Sequence, residues 1–158
     1  MSEAVNEGVN YGVNYTRNDA ALGRLVVFYE TISEAALAQL GEIYAFDAAF
    51  KDPFNEVRGI APITAIFRHM YQQVNDPRFV VTTRVLQGDD AFLTWEFRFV
   101  MKRFSTALQT IRGATHVRFD GAGRVCLHRD YWDAAEELYE KLPLLGGFMR
   151  ALKRRAAS

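Results

Sequence analysis

The chain has one cysteine, Cys126, and only three histidines among its 158 residues. A single cysteine excludes an internal disulfide and any cysteine-rich metal site. His69, His116 and His128 are scattered, whereas a metal site needs three or four converging ligands, so no metal is expected. No apolar run approaches the roughly 18 residues of a membrane span. The N-terminus lacks the basic and apolar regions of a signal peptide, so the default expectation is a cytoplasmic protein without stable membrane insertion. Charge imbalance is absent too: Lys plus Arg and Asp plus Glu stand at 19 each. Bulk charge therefore gives nucleic-acid binding no support. Gly121-Ala122-Gly123 lacks the third glycine and the following helix of a dinucleotide loop, and no cofactor is expected. His128-Arg129-Asp130 spells a kinase catalytic-loop triplet, but no glycine-rich loop, lysine strand or metal-binding motif accompanies it.

Apolar and aromatic residues are abundant, at 49% and 13%, with 12 Phe and 7 Tyr. The length suits one domain with a real core, and this composition suits either a large core or an aromatic-lined cavity. Residues 1–18 are polar and loosely repetitive (VNEG, VNYG, VNY) and read as a flexible tail. Asn18 or Asp19 is placed to cap a helix carrying Leu22, Leu25, Val26, Tyr29 and Ile32. Ser33 caps a second helix using Leu37, Leu40, Ile43 and Tyr44. Two short extended pieces span 48–58, because Pro53 drives Asp52 out of helical conformation. A third helix follows Gly59, opened by Pro62, with Ile63, Ile66, Phe67, Met70 and Val74 on one side, and ends at Asn75-Asp76-Pro77.

Long strands are expected at about 78–87, 91–103 and 106–119. The middle one alternates cleanly, Ala91, Leu93, Trp95, Phe97, Phe99 and Met101 against Thr94, Glu96, Arg98 and Lys102. Asp120-Gly121-Ala122-Gly123 turns the third strand into a fourth, 124–132. Asp133 caps a last helix with Glu136 as its capping-box partner. Glu137 and Lys141 form an i,i+4 pair, Pro143 breaks the helix, and 143–158 is a basic amphipathic tail. Helices followed by long antiparallel strands give an α+β domain over 19–142.

One stretch carries chemistry. In FKDPF, extended geometry sends Phe50, Asp52 and Phe54 to one face. A carboxylate on an apolar face is costly unless it is paired or has a task. The bland alternative is a strand-end Asx motif that binds nearby backbone N–H groups before Pro53.

YAFDAAFKDPF with VRG after it, GATHVRFDGAGRV, and YWD resemble the nuclear transport factor 2-like superfamily, in its SnoaL-like and ketosteroid-isomerase-like branch. The resemblance spans about residues 20–132. It implies a cone-shaped α+β barrel, a curved sheet wrapped around N-terminal helices with a ligand cavity inside. It also implies a homodimer packed through the outer sheet face. Asp52 falls on the general base of ketosteroid isomerases. Their oxyanion hole, a tyrosine and a protonated aspartic acid, falls on Phe28, with Tyr29 adjacent, and on Thr115. His128 and Asp130 share a face of the last strand, with His128 at a cavity-lining position and Trp132 near the mouth.

These readings lead to an acid–base enzyme of isomerase, cyclase, dehydratase or hydrolase type, acting on a small apolar or amphipathic molecule. Asp52 is the expected base and His128 its partner. Thr115 and Asp130 supply polar contacts, and Tyr29, Tyr44, Phe54, Trp95 and Trp132 shape the site. The competing reading is a ligand-binding or protein-interaction domain without chemistry.

Overall fold

The computed structural model describes residues 11–103, 106–137 and 139. Helix α1 (Tyr11–Glu30) is followed by a 3-10 turn (Ala35–Gln39) and the short α2 (Leu40–Ile43). Strands β1 (Tyr44–Lys51) and β2 (Glu56–Arg58) precede helix α3 (Ile60–Gln73). Four strands complete the sheet, β3 (Val74–Gln87), β4 (Asp90–Met101), β5 (Leu108–Phe119) and β6 (Val125–Tyr131), and α4 (Ala134–Glu137) closes the described chain. The strand order is β2-β1-β6-β5-β4-β3, with β1 and β6 parallel and the other neighbours antiparallel. This is the expected α+β architecture with a curved sheet. The closed barrel is not formed: β2 and β3 are opposite edges, so the sheet stays open.

The second helix ends at Ile43, so Tyr44, expected on it, instead opens β1 ahead of the expected start at 48; two other boundaries differ from the sequence reading for visible reasons. Helix α1 begins at Tyr11, ahead of the expected caps. Asn18 is not a cap but a fully buried helical residue. Its Nδ2 donates to Gly88 O at 3.0 Å and Asp89 Oδ1 at 2.7 Å, which pins α1 to the β3–β4 turn. Strand β3 begins at Val74, with Asn75-Asp76-Pro77 inside it. Asp76 takes a positive φ of 49°, and the register slips between Asn75 and Arg78, so the helix-stopping segment is absorbed as a bulge. Asp133 caps as expected, its Oδ1 accepting from Ala135 N and Glu136 N, whereas Ser33 Oγ accepts from Ala36 N one residue before Glu34, the N-cap of the 3-10 turn. Lys141, Pro143 and the basic tail 143–158 lie outside the described residues. Within them, no helix is long and apolar enough to cross a membrane, and no three His, Cys, Asp or Glu side chains cluster as metal ligands.

Strand β4 sets the interior. Ala91, Leu93, Trp95, Phe97 and Phe99 are all buried, and each large side chain contributes about 1.5–3 kcal/mol by leaving water. Ile63 and Phe67 of α3 and Leu22, Leu25 and Tyr29 of α1 join the same core. Trp95 pairs across strands with Gly113 of β5. A Cβ on Gly113 would lie 2.5 Å from the Trp95 ring carbons Cζ2 and Cη2 and 3.1 Å from Trp132 Cβ. The missing side chain is therefore what lets the Trp95 indole lie across β5. In Gly113→Ala, the indole must move and its bond to Thr115 must break. We expect a loss of about 1–3 kcal/mol in urea unfolding and a displaced Trp95 indole N–H resonance. Unchanged stability and resonance would contradict this packing.

Candidate functional site

One buried hydrogen-bonded chain crosses the interior. Asp130 and His128 sit two residues apart on β6 and share a face, as strand alternation requires. Asp130 Oδ1 is 2.8 Å from His128 Nε2 and 2.5 Å from Thr115 Oγ1 of β5. Thr115 Oγ1 in turn accepts from Trp95 Nε1 at 2.7 Å. On the other side of the imidazole, Nδ1 is 2.9 Å from Tyr44 Oη, which is 2.5 Å from Tyr29 Oη. Phe50 stacks on the His128 ring at 4.7 Å.

The directions of these bonds follow from donor chemistry. A carboxylate only accepts, so Thr115 O–H and His128 Nε2–H donate to Asp130. If Nε2 carries the only proton of the ring, Nδ1 accepts from Tyr44 O–H, and Tyr44 in turn accepts from Tyr29 O–H. Burial pushes the Tyr29 and Tyr44 phenols above their ordinary ionisation range, reinforced by the negative charge of Asp130. Both therefore stay neutral donors. Asp130 Oδ2 accepts no hydrogen bond from the described residues, although the side chain is only 18% exposed.

Asp130 stands where three spaces meet. A deep apolar cleft of about 40 Å³ lies beside Tyr29, Phe79, Trp95 and Thr115. A larger pocket of about 480 Å³ runs between α3 and the sheet, walled by Phe67, Phe97, Phe99, Met101, Ile111 and Trp132. An open surface groove passes Lys51, Asp52, Arg129 and Trp132.

Asp52 borders the larger pocket and the groove, but its carboxylate is engaged by its own loop. Oδ1 accepts from Phe54 N at 2.7 Å and Asn55 N at 2.6 Å, and Asn55 Nδ2 reaches both oxygens at 3.0 and 2.9 Å. This is the Asx geometry favoured before a β-turn-like bend. Arg58 does not neutralise Asp52; it pairs with Asp47. Of the other expected residues, Trp95, Trp132 and Phe54 line the larger pocket, and Tyr29 and Thr115 line the deep cleft. Tyr44 is fully buried behind His128 and reaches the site through that ring.

His116 lies on the outer face, stacked on Phe92 and 2.6 Å from Asp90 Oδ1. Burial raises the Asp90 carboxyl, but hydrogen bonds from His116 and Arg118 outweigh this and hold it below its usual range. His69 is exposed, as expected from its helix position, yet it edges the larger pocket, bonded to Gln73. The sequence reading missed Asn55, Gln73, Phe79 and Gly113. Asn55 had a signal, the D-P-x-N spacing of an Asx turn, and Gly113 had one as a glycine inside a strand.

The SnoaL-like domain profile matches residues 26–128. The chain belongs to the SnoaL-like family. Solved structures with the same fold include a nuclear transport factor 2-like protein of unknown function from Burkholderia pseudomallei. It is 18% identical, covers 76% of this chain and 93% of its own, and has a TM-score of 0.66. An LEH-like epoxide hydrolase from M. tuberculosis has a TM-score of 0.63 at 14% identity, over 87% of this SnoaL-like chain and 93% of its own. A provisionally assigned SnoaL-like polyketide cyclase from Jannaschia sp. CCS1 scores 0.65 at 15% identity, over 77% and 88%. No curated protein sequence matches the chain. At these identities the structural likenesses establish the fold of this SnoaL-like protein, and its chemistry must be argued from its own residues.

The buried phenols set an alkaline limit on stability. Their folded pKa values lie above the ordinary 10.0, so the unfolded chain releases protons first. Stability is fully present below about pH 10 and falls as pH rises beyond it. Tyr44→Phe should flatten the fall of Tm above pH 10. An identical alkaline slope in wild type and variant would contradict the buried pair.

Proposed function

We propose that this SnoaL-like protein is an acid–base enzyme for a small, largely apolar molecule, with Asp130 as the base. The observation that carries this is the asymmetric carboxylate. One oxygen is held by Thr115 and His128, the other accepts no hydrogen bond from the described residues, and Asp130 lines all three spaces. A fixed oxygen with a free partner is an oriented base, aimed without rotational search. Proton transfer from a substrate carbon, or from a water that attacks the substrate, would end on Oδ2. His128 acts as a positioning residue, since its Nε2–H is committed to Oδ1 and its Nδ1 to Tyr44. The pocket walls supply apolar contact area for the rest of the ligand.

This reading moves the base from Asp52 to Asp130, because the Asp52 oxygens are occupied by Phe54, Asn55 and the Asn55 amide. A panel of enolisable ketones and epoxides provides the test. Asp130→Asn should lower kcat by a hundredfold or more, while Asp52→Asn retains it within about fivefold. If Asp52→Asn is the damaging change, the assignment is reversed. If wild type turns over none of the panel yet binds its members, the non-catalytic ligand-binding reading replaces it.

We also propose that two copies pair through the outer sheet face. Val80, Val85, Phe92, Leu108 and Tyr131 all leave large apolar surface on that side. A face of this kind marks an interaction site. Analytical ultracentrifugation should find a dimer in wild type that Phe92→Glu weakens. A monomer in wild type would sink the pairing.

A further inference from the structure

The larger pocket has a charge character that the catalytic reading does not use. Its polar side chains include Asp52, Asn55, His69, Gln73 and Asp130, and no lysine or arginine lines it among the described residues. His69 is occupied by Gln73 at 2.8 Å. Two cations line the adjoining groove and are already engaged. Lys51 is 2.5 Å from Glu56, and Arg129 lies over the Tyr131 ring at 4.9 Å. Asp52 and Asp130 are therefore carboxylates without an arginine or lysine partner at one end of an apolar space.

An aromatic corner stands beside Asp52. Phe54, two residues on, meets Trp132 edge to face at 5.4 Å and 77°, and Tyr139 closes toward Phe54 at 6.1 Å. These rings come from the β1–β2 loop, the end of β6 and the segment after α4. Phe54 keeps 52% of its surface exposed, so one face of the corner is open. Aromatic faces and a carboxylate whose charge no lysine or arginine neutralises, although loop N–H groups engage its oxygens, together recognise one ligand chemistry: a substituted ammonium, whose methyl or methylene groups meet the rings while its charge meets the acid. A carboxylate or phosphate ligand would be buried against two like charges with no counter-charge. A neutral ligand would strip water from Asp52 and return nothing to it.

We infer that the pocket selects an apolar amine in its cationic form, with the ammonium against Asp52 in the Phe54–Trp132–Tyr139 corner. The inference rests on the pocket being a ligand site, as proposed above, and adds the charge of the ligand. It leaves Asp130 free for the reacting end of the molecule.

The test uses two isosteric probes and an anion of similar size on the full chain. Phenethyltrimethylammonium is compared with (3,3-dimethylbutyl)benzene, in which carbon replaces the nitrogen, and with 4-phenylbutanoate. Titrations follow the indole N–H resonances of Trp95 and Trp132. The cation should bind at least about tenfold more tightly than its neutral isostere, and the carboxylate more weakly than either. Asp52→Asn preserves the Oδ1 acceptor for Phe54 N and Asn55 N but turns the Oδ2 acceptor of Asn55 Nδ2 into a donor, so backbone amide spectra first establish that the loop is retained while the charge is lost. It should bring the cation to the affinity of the neutral probe and leave the neutral probe unchanged. Equal binding of cation and isostere, or a cation preference that survives Asp52→Asn, would overturn this inference and leave the pocket reading intact. Binding of none of the three would remove both.

Discussion

The arrangement around this pocket depends on a carboxylate that cannot be buried without donors. Asp130 is inserted among aromatic side chains on β6, and a charge there is tolerated only when hydrogen bonds replace its lost water. Thr115 and His128 supply them, and each donor is itself fixed by a further partner. Trp95 holds Thr115, Tyr44 holds the imidazole, and Tyr29 holds Tyr44. The chain of bonds thereby joins α1, β1, β4, β5 and β6, and four of these, α1, β4, β5 and β6, line the deep cleft. Such a network specifies a single arrangement, because a half-satisfied version would leave orphaned groups in the core.

The pocket follows from packing around this network. Trp95 is large enough to block the cavity, and the missing side chain at Gly113 lets it lie against the sheet instead. The open edge between β2 and β3 and the length of β4 leave aromatic wall exposed to α3 without filling the space. Asp52 plays a different part from Asp130 despite bordering the same pocket. Its oxygens close the loop before β2, so its geometry is fixed by the backbone, whereas that of Asp130 is fixed by side chains.

Much of this was legible in the sequence, for definite reasons. The alternation through Leu93, Trp95, Phe97 and Phe99 identified a strand with one buried face, and Asp120-Gly121-Ala122-Gly123 identified the turn before β6. The two-residue spacing of His128 and Asp130 placed them on one face. What could not be read was their relation to Tyr29, Tyr44 and Thr115, because contacts across 15 to 99 residues depend on sheet register and helix docking. The role of Asn18 was hidden for the same reason: its partners lie on the β3–β4 turn, and a polar residue before an apolar run reads locally as a cap. The bulge at Asp76 shows the converse, a local helix-stop signal that tertiary strand pairing absorbed.

Which nitrogen of His128 carries the proton sets the direction of the bonds from Tyr44 to Asp130. Long-range ¹H–¹⁵N correlation spectra of the imidazole at neutral pH measure it directly. The account predicts a protonated Nε2 and a bare, hydrogen-bond-accepting Nδ1. A proton on Nδ1 with a bare Nε2 would contradict it, because Asp130 Oδ1 would then lose its donor and the carboxylate its fixed aim.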